Sequence, residues 1–329
     1  MRTISALLIL SFLSTGFFLL SPGRAAAHPP ALLEDSFEPG QAALDSGRLA
    51  RYVASMLVEM RLLPEVSALA PTAVPKGTGQ TIPPEKWHDW PLLPVVSDRA
   101  RQIYKQGLEM GNIPTHFSKV GDCQNIRQYF LGMFDTPGTY GLGRDNEYLI
   151  PTITYFAGSW VRLSEAVRTG FNVASVLTPI NANPKTCQPG ETPLECEFRA
   201  WKPAYVIISM ETWTKDRPTD AYEGYMRKII DFAISKGTVP ILATKADNIE
   251  GDYSINLTIA RLAAEYDIPL WNFFRASYPL KDNGLEHDKF HLTNAPNFFD
   301  NEQYMKAAWP WRNLTALQAL DKVRKAVTK

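Results

Sequence analysis

The fold is decided by residues 204–273, which begin Ala-Tyr-Val-Ile-Ile-Ser-Met (204–210), continue through Val-Pro-Ile-Leu-Ala-Thr (239–244) and end Pro-Leu-Trp-Asn-Phe (269–273). None of these three runs alternates apolar with polar residues, which predicts strands buried on both faces. Amphipathic stretches separate them: one from Tyr222 to Ser235, stopped by Gly237, and one from Ile255 to Tyr266. Buried strands separated by helices of this length predict a parallel sheet.

The pattern extends in both directions from this stretch. Upstream, Asp98–Gly111 has helical spacing of its apolar residues and leads into a short strand at His116–Val120; downstream, Asn301–Thr328 contains a closing helix. We therefore predict a three-layer α/β/α sandwich with a mainly parallel, flavodoxin-like sheet. Right-handed crossovers in such a fold bring the functional loops to the carboxyl ends of the strands.

The N-terminus has the pattern of a secretory signal. Arg2 precedes an apolar run from Ile4 to Leu20, and Ala25-Ala26-Ala27 supplies the small residues of a cleavage site. We predict a signal peptide over residues 1–27, with an uncleaved anchor as the alternative. Both predict an exported protein, secreted or extracytoplasmic, and cleavage leaves no stable membrane partner.

Residues 28–85 are predicted to be an N-terminal extension, with a helix over 46–63 and a Pro-rich linker over 70–84, ahead of the α/β domain at 86–329. The chain has 34 basic and 34 acidic residues, so removal of Arg2 and Arg24 leaves a mature net charge of −2. No basic excess remains, and a nucleic-acid partner is therefore not expected.

Three cysteines are present, and export makes a disulfide possible. Cys187 and Cys196 bracket a loop rich in Pro and Gly that a disulfide could close, although sequence alone does not fix the pairing. Cys123 is then the odd thiol. A single cysteine is often an inert buried residue, so its role depends on its neighbours.

The strongest functional signal joins two distant segments. Cys123 lies in Gly121-Asp122-Cys123-Gln124, directly after a predicted strand, and Asp288 stands three residues before His291. On a turn, the carboxylate can hold the Nδ1–H of the imidazole and leave Nε2 free as a base. A base beside a thiol, oriented by an acid, is the arrangement required for acyl transfer.

These motifs resemble the SGNH, or GDSL-type, hydrolase superfamily, over about residue 116 to the closing helix. The resemblance implies that Cys123 takes the place of the nucleophilic Ser of Gly-Asp-Ser, and that Asp288 and His291 form the Asp-x-x-His block. It also implies that Gly170, in Arg-Thr-Gly-Phe-Asn (168–172), donates its backbone N–H to the oxyanion together with the N–H of Cys123.

The third block departs from the family pattern. Where Gly-x-Asn-Asp is expected, the chain has Glu-Thr-Trp-Thr (211–214), so Trp213 stands at the position of the oxyanion-binding Asn. Losing one such donor costs roughly 3–4 kcal/mol of transition-state stabilisation. The indole N–H is itself a donor and could replace the Asn if it pointed into the site.

Further polar residues are expected at the carboxyl ends of the strands, close to Cys123. Asp122 adjoins the nucleophile, and Lys245 and Asp247 follow a predicted strand, so all three are expected to contact substrate. The alternative for the last two is a solvated loop. His287 and His291 lack the Glu-containing helical motif of a zinc protease, so we expect no metal site and no cofactor.

The sequence therefore predicts an exported SGNH-like hydrolase that acts on ester bonds, on a small-molecule or carbohydrate ester. The alternative is a catalytically silent glycan-binding protein on the same fold. It takes its support from the departures at Cys123 and Trp213 and from the pairs Trp87/Trp90 and Trp309/Trp311, which could stack on sugar rings or pack against the core.

Overall fold

A computed structural model describes residues 79–213 and 216–329. The predicted signal peptide, the helix over 46–63 and most of the linker lie outside the described residues, so they remain predictions. Within the described part, no helix combines the length and the apolar character needed to cross a membrane.

The strands form two parallel sheets. The central sheet contains β1 (Ile113–Gly121), β3 (Pro203–Ser209), β4 (Val239–Ala243) and β5 (Leu270–Trp271), in the order β1-β3-β4-β5. A small second sheet pairs β2 (Tyr140–Gly141) with β6 (Asn297–Phe298). Every strand pair in the central sheet is parallel, as predicted.

Seven α-helices lie in the described residues, joined by several single 3-10 turns. In chain order they are α1 (Asp98–Glu109), α2 (Ile150–Tyr155), α3 (Pro193–Trp201), α4 (Thr219–Ser235), α5 (Ser254–Tyr266), α6 (Phe273–Ser277) and α7 (Ala308–Val327). Helices α4 and α5 pack on each other and on β4, while α1 and α7 pack on each other and on the sheet. This is the predicted sandwich of helices around a parallel sheet.

The edge beside β1 carries the remnant of a further strand. Gly121 forms an isolated parallel bridge with Val167, which occupies the position that the second strand takes in flavodoxin-like order. The chain after Val167 therefore starts beside the carboxyl end of β1. The loop containing Gly170 is held close to the predicted nucleophile by this one bridge and by a hydrogen bond from Arg168 N to Gly121 O of 3.4 Å.

The core is built from the runs that predicted the strands. All residues of β3 and β4 are buried, which explains their lack of alternation. Trp87 and Trp90 are each 2% exposed and Trp309 is 7% exposed. These indoles pack against the core, so the packing interpretation is confirmed for them.

The predicted disulfide between Cys187 and Cys196 is present, with the two Cα atoms 5.1 Å apart. Cys196 lies in α3, whose N-terminus has a capping box: the Thr192 hydroxyl accepts from Glu195 N, and the Glu195 carboxylate accepts from Thr192 N. Cys123 is the free cysteine of the described residues.

Candidate active site

The candidate nucleophile lies on a tight turn at the end of β1. Gly121 ends the strand, and Cys123 begins a 3-10 turn that extends to Asn125. A Cβ on Gly121 would lie 2.1 Å from the Asn125 amide nitrogen, so only glycine permits this close approach. The Asn125 amide in turn donates to Ser209 O at 2.8 Å, which ties the turn to the end of β3.

Asp122 is fully buried and acts as an acceptor for the surrounding backbone. Its Oδ1 accepts from Gln124 N (3.0 Å), and its Oδ2 accepts from Glu211 N (3.0 Å), Thr212 N (2.8 Å) and the Thr212 hydroxyl (2.8 Å). The prediction that Asp122 contacts substrate is therefore wrong. Its carboxylate is consumed in joining the β1 turn to the segment after β3.

The candidate base lies on an exposed loop before α7. Asp288 Oδ1 accepts from Phe290 N (3.0 Å) and His291 N (2.9 Å), and its Oδ2 accepts the Nδ1–H of His291 at 2.6 Å. These three hydrogen bonds to the carboxylate hold the pKa of Asp288 well below its usual range. Because the acid stays ionised, Nδ1 of the imidazole keeps its proton and Nε2 is the free base.

The two segments meet. Cys123 Sγ lies 4.0 Å from His291 Nε2 although 168 residues separate them along the chain. A second contact joins the same turn and loop, because the Gln124 amide donates to Phe290 O at 3.1 Å. The structure thus brings Cys123, His291 and Asp288 into the order of thiol, base and acid that the sequence predicted.

The surroundings of the sulfur do not favour a thiolate. Partial burial, followed by the carboxylates of Asp122 and Glu211, raises the pKa of the Cys123 thiol to about 12, and the Cys123 backbone N–H and Arg312 oppose this rise. At neutral pH the sulfur therefore carries its proton. The site therefore does not hold a preformed thiolate, and nucleophilic attack by Cys123 would require a base to remove this proton.

One predicted oxyanion donor is free and another is not. Gly170 has a backbone φ of +83°, which favours glycine, and among residues 79–213 and 216–329 its N–H has no acceptor. Trp213 is 5% exposed, and its indole N–H donates to Pro218 O at 3.2 Å. The proposal that Trp213 replaces the family Asn is therefore wrong, because its only donor is already bonded.

The prediction that Lys245 and Asp247 contact substrate is also wrong. Both side chains are 0% exposed, and Lys245 Nζ is paired with Asp247 (2.7 Å) and with the nearly buried Glu250. The Asn256 amide closes this cluster through both backbone groups of Lys245. Neither residue can contact a substrate, and the alternative of a solvated loop is equally wrong.

A buried ion pair behind the site was not anticipated. Glu211 hydrogen-bonds and ion-pairs with Arg312 of α7, and both side chains are almost fully buried. Burial raises the pKa of Glu211 to about 7 against the opposing effect of Arg312. Arg312 also lies over the rings of Phe130 and Phe273 at 4.9 and 5.0 Å. The local sequence does not indicate this ion pair, because Glu211 and Arg312 are 101 residues apart in the chain.

A cleft of about 460 Å³ opens over the sulfur and the imidazole. Besides Cys123 and His291 it is lined by Gln124, Ile126, Tyr129, Thr169, Leu292, Asn294 and Trp309. A second depression of about 430 Å³ continues past Tyr129, Asn294 and Trp309 to Gln128 and Asn297. The rings of Tyr129 and Trp309 stack with centroids 5.5 Å apart, and Tyr129 is 41% exposed.

No protein-family model matches the chain, and no curated protein matches it. Among solved structures, the fold is similar to a GDSL-like lipase from Bacteroides thetaiotaomicron, with a TM-score of 0.36, 14% identity, and coverage of 68% of this chain and 98% of that one. It is also similar to a catalytic mutant of an acetylxylan esterase from Geobacillus stearothermophilus, with a TM-score of 0.38, 14% identity, and coverage of 64% and 93%. Likeness at this level does not transfer an activity.

Proposed function

We propose that this protein hydrolyses esters through Cys123, His291 and Asp288. The observation that carries the proposal is the chain of contacts from Cys123 Sγ to His291 Nε2 (4.0 Å) and from His291 Nδ1 to Asp288 Oδ2 (2.6 Å). A satisfied structural histidine needs no open cleft, whereas Cys123 and His291 line one. No cofactor takes part in the proposed reaction.

The reaction would proceed by general-base attack. Because the thiol is protonated at neutral pH, the Cys123 S–H proton passes to His291 Nε2 as the sulfur bonds to the acyl carbon. The ester C–O bond then breaks, and His291 returns the proton to the leaving alcohol. Water next attacks the thioester with His291 as base, releasing the acid and restoring the thiol. Asp288 stabilises the imidazolium in both steps.

The developing oxyanion would be held by the backbone N–H groups of Cys123 and Gly170. Gly170 N–H has no acceptor among the described residues, and Thr169, its neighbour, lines the cleft. With the Trp213 indole bonded elsewhere, these two donors act without a third. Removal of one donor typically lowers turnover 10²–10³-fold, so we expect a slower enzyme than one with a complete set, by ~10²-fold.

The substrate we propose is an acylated carbohydrate met outside the cytoplasm. The partly exposed Tyr129 and the amide residue Asn294 line the same cleft as the imidazole that would protonate the leaving alcohol. Gln128 and Asn297 line the depression that continues from it. An aromatic face bordered by amides suits a sugar ring, which has an apolar face and hydroxyl edges. The predicted signal peptide and the disulfide support export.

The test is turnover of acetylated sugars by purified protein and by matched variants. Cys123→Ala and His291→Ala should abolish turnover, whereas His287→Ala, which removes an exposed imidazole four residues away, should retain it. Cys123→Ser should remain active, because the site is electrostatically suited to a protonated nucleophile. Equal turnover by wild type and Cys123→Ala would refute the mechanism.

A second candidate is a catalytically silent glycan-binding protein with the same aromatic cleft. The raised pKa of Cys123 favours it, since burial and two carboxylates oppose the thiolate. The two candidates separate in one experiment: binding of acetylated sugars with no turnover by either the wild type or Cys123→Ser supports the binding protein.

A further inference from the structure

A basic pocket of about 260 Å³ adjoins the catalytic cleft. Four cationic side chains line it, and no acidic residue of the described chain does: Lys119, Arg127, Arg162 and Arg168. The pocket shares Ile126 and Thr169 with the cleft over Cys123, so the two spaces border on the same two residues. A positively charged space therefore lies next to the cleft that contains the sulfur.

Two of these cations, Arg162 and Lys119, already have partners within the protein. Arg162 is ion-paired with the buried Glu197, and its Nε is buried with no hydrogen-bond partner in the described structure. Lys119 is 2% exposed, and its Nζ donates to two carbonyl oxygens, Phe130 O at 3.2 Å and Trp160 O at 3.4 Å. In its protonated form Lys119 has three N–H groups, so one donor remains beyond the two that these carbonyls accept. Buried donors without acceptors indicate a missing acceptor.

The other two cations have no carboxylate partner within the described residues. Arg127 donates one hydrogen bond to Val161 O at 3.1 Å, and the Arg168 guanidinium lies over the Phe171 ring at 4.8 Å from its centroid. Arg127 stands four residues after Cys123 in the chain. Their guanidinium groups offer the paired donors that a carboxylate accepts.

The position of the pocket indicates which part of an ester would reach it. The leaving alcohol must face His291, and the His291 side of the cleft continues past Asn294 and Trp309 into the aromatic depression. None of residues 285–294 lines the basic pocket. It lies instead beyond Ile126 and Thr169, on the side left for the acyl chain.

We propose that the basic pocket binds a carboxylate at the far end of the acyl group, so that the preferred substrates are half-esters of short dicarboxylic acids with a carbohydrate alcohol. This inference rests on the proposed ester hydrolysis and specifies its acyl group. The carboxylate supplies the acceptor that Arg127, Arg168 and the remaining donor of Lys119 lack.

The electrostatics of Lys119 agree with a site that is incomplete without an anion. Burial, followed by the neighbouring Arg162 and Arg127, lowers the pKa of Lys119 to about 7, and Asp135 opposes this shift. A bound carboxylate would add the nearby negative charge that restores the ammonium.

The experiment compares two esters that differ only in the terminal group. Methyl glucoside hemisuccinate and methyl glucoside butyrate, acylated at the same hydroxyl, have acyl chains of equal length. We expect wild type to prefer the hemisuccinate in kcat/KM by ~10-fold or more, and Arg127→Gln and Arg168→Gln each to lower that ratio by ~10-fold, the value of one charged hydrogen bond. Arg144→Gln, an exposed arginine that lines neither space, should leave the ratio unchanged.

The outcomes separate this inference from the proposed function. Hydrolysis of both esters with equal kcat/KM overturns the carboxylate pocket and leaves ester hydrolysis intact. A preference for acetylated glucuronate over acetylated glucose without one for the hemisuccinate places the anion on the alcohol and also overturns it. If neither ester is hydrolysed, calorimetric titration of Cys123→Ala with the hemisuccinate decides: binding lost in Arg127→Gln supports the pocket, and no binding overturns it.

Discussion

Alkylation of Cys123 tests the electrostatic description of the nucleophile. The thiol pKa is raised to about 12 by burial and by the carboxylates of Asp122 and Glu211. An unperturbed thiol has a pKa near 8.5, so at pH 7.5 the thiolate fraction at Cys123 should be ~3,000-fold lower than that of a free cysteine. A thiolate of higher pKa is intrinsically more nucleophilic, with a Brønsted slope near 0.45, which returns ~40-fold of that difference. The net expectation is a reaction ~10²-fold slower than that of a free cysteine.

The assay is the rate of iodoacetamide modification of the intact protein, followed by mass from pH 6 to 10. Since Cys187 and Cys196 are bonded to each other, Cys123 is the thiol that reacts. The logarithm of the rate should rise with pH across the whole range without a plateau. Glu211→Gln removes one of the carboxylates and should accelerate the reaction. A plateau below pH 8, with a rate above that of free cysteine, would refute the reasoning and show an ion pair between Cys123 and His291.

Three stability predictions follow from buried groups and from the disulfide. Because the folded pKa of Lys119 is about 7 against 10.5 unfolded, the unfolded chain holds the extra proton between these pH values, so stability rises with pH in that window. Lys119→Met should abolish this rise and stabilise the protein at pH 7 by ~2–3 kcal/mol. Removal of the buried amine gains ~4 kcal/mol at this pH, and part of the gain is lost because two carbonyl groups lose their donor. The measurement is urea unfolding. Arg312→Met should cost ~3–5 kcal/mol by leaving Glu211 buried and unpaired, and adding Glu211→Gln should recover part of the loss; a double variant less stable than Arg312→Met would contradict this. Cys187→Ser with Cys196→Ser should lower the free energy of unfolding by ~2.7 kcal/mol, the chain entropy of a loop of this size, and an unchanged urea midpoint would contradict it.

The strands could be predicted because burial on both faces leaves a pattern in the local sequence of each strand. The runs at 204–210 and 239–244 are mostly apolar and contain no charged residue, and β3 and β4 occupy most of each. The run at 269–273 was predicted too long. Only Leu270–Trp271 pairs, because the backbone N–H of Asn272 donates to Leu92 O instead of to a strand.

The candidate site could be predicted only in part, because some of its contacts depend on residues that are distant in the chain. The three-residue spacing of Asp288 and His291 determines their hydrogen bond, so sequence was sufficient. The burial of Lys245 depends on Glu250 and Asn256, up to 11 residues away, and the pKa of Cys123 depends on Glu211 in the segment after β3. Contacts of this kind follow from the topology and leave no pattern in the local sequence.

The two halves of the candidate site differ in how firmly they are anchored. The buried Asp122 fastens the turn that bears Cys123 to the segment after β3, whereas Asp288 and His291 lie on a surface loop with side chains 41% and 58% exposed. Substitutions in that loop can therefore change the position and basicity of the imidazole with little effect on stability. Any substitution of Asp122, in contrast, removes hydrogen bonds that hold the fold together. Directed evolution of this protein should accordingly begin at the histidine loop, where sequence can vary without unfolding the molecule.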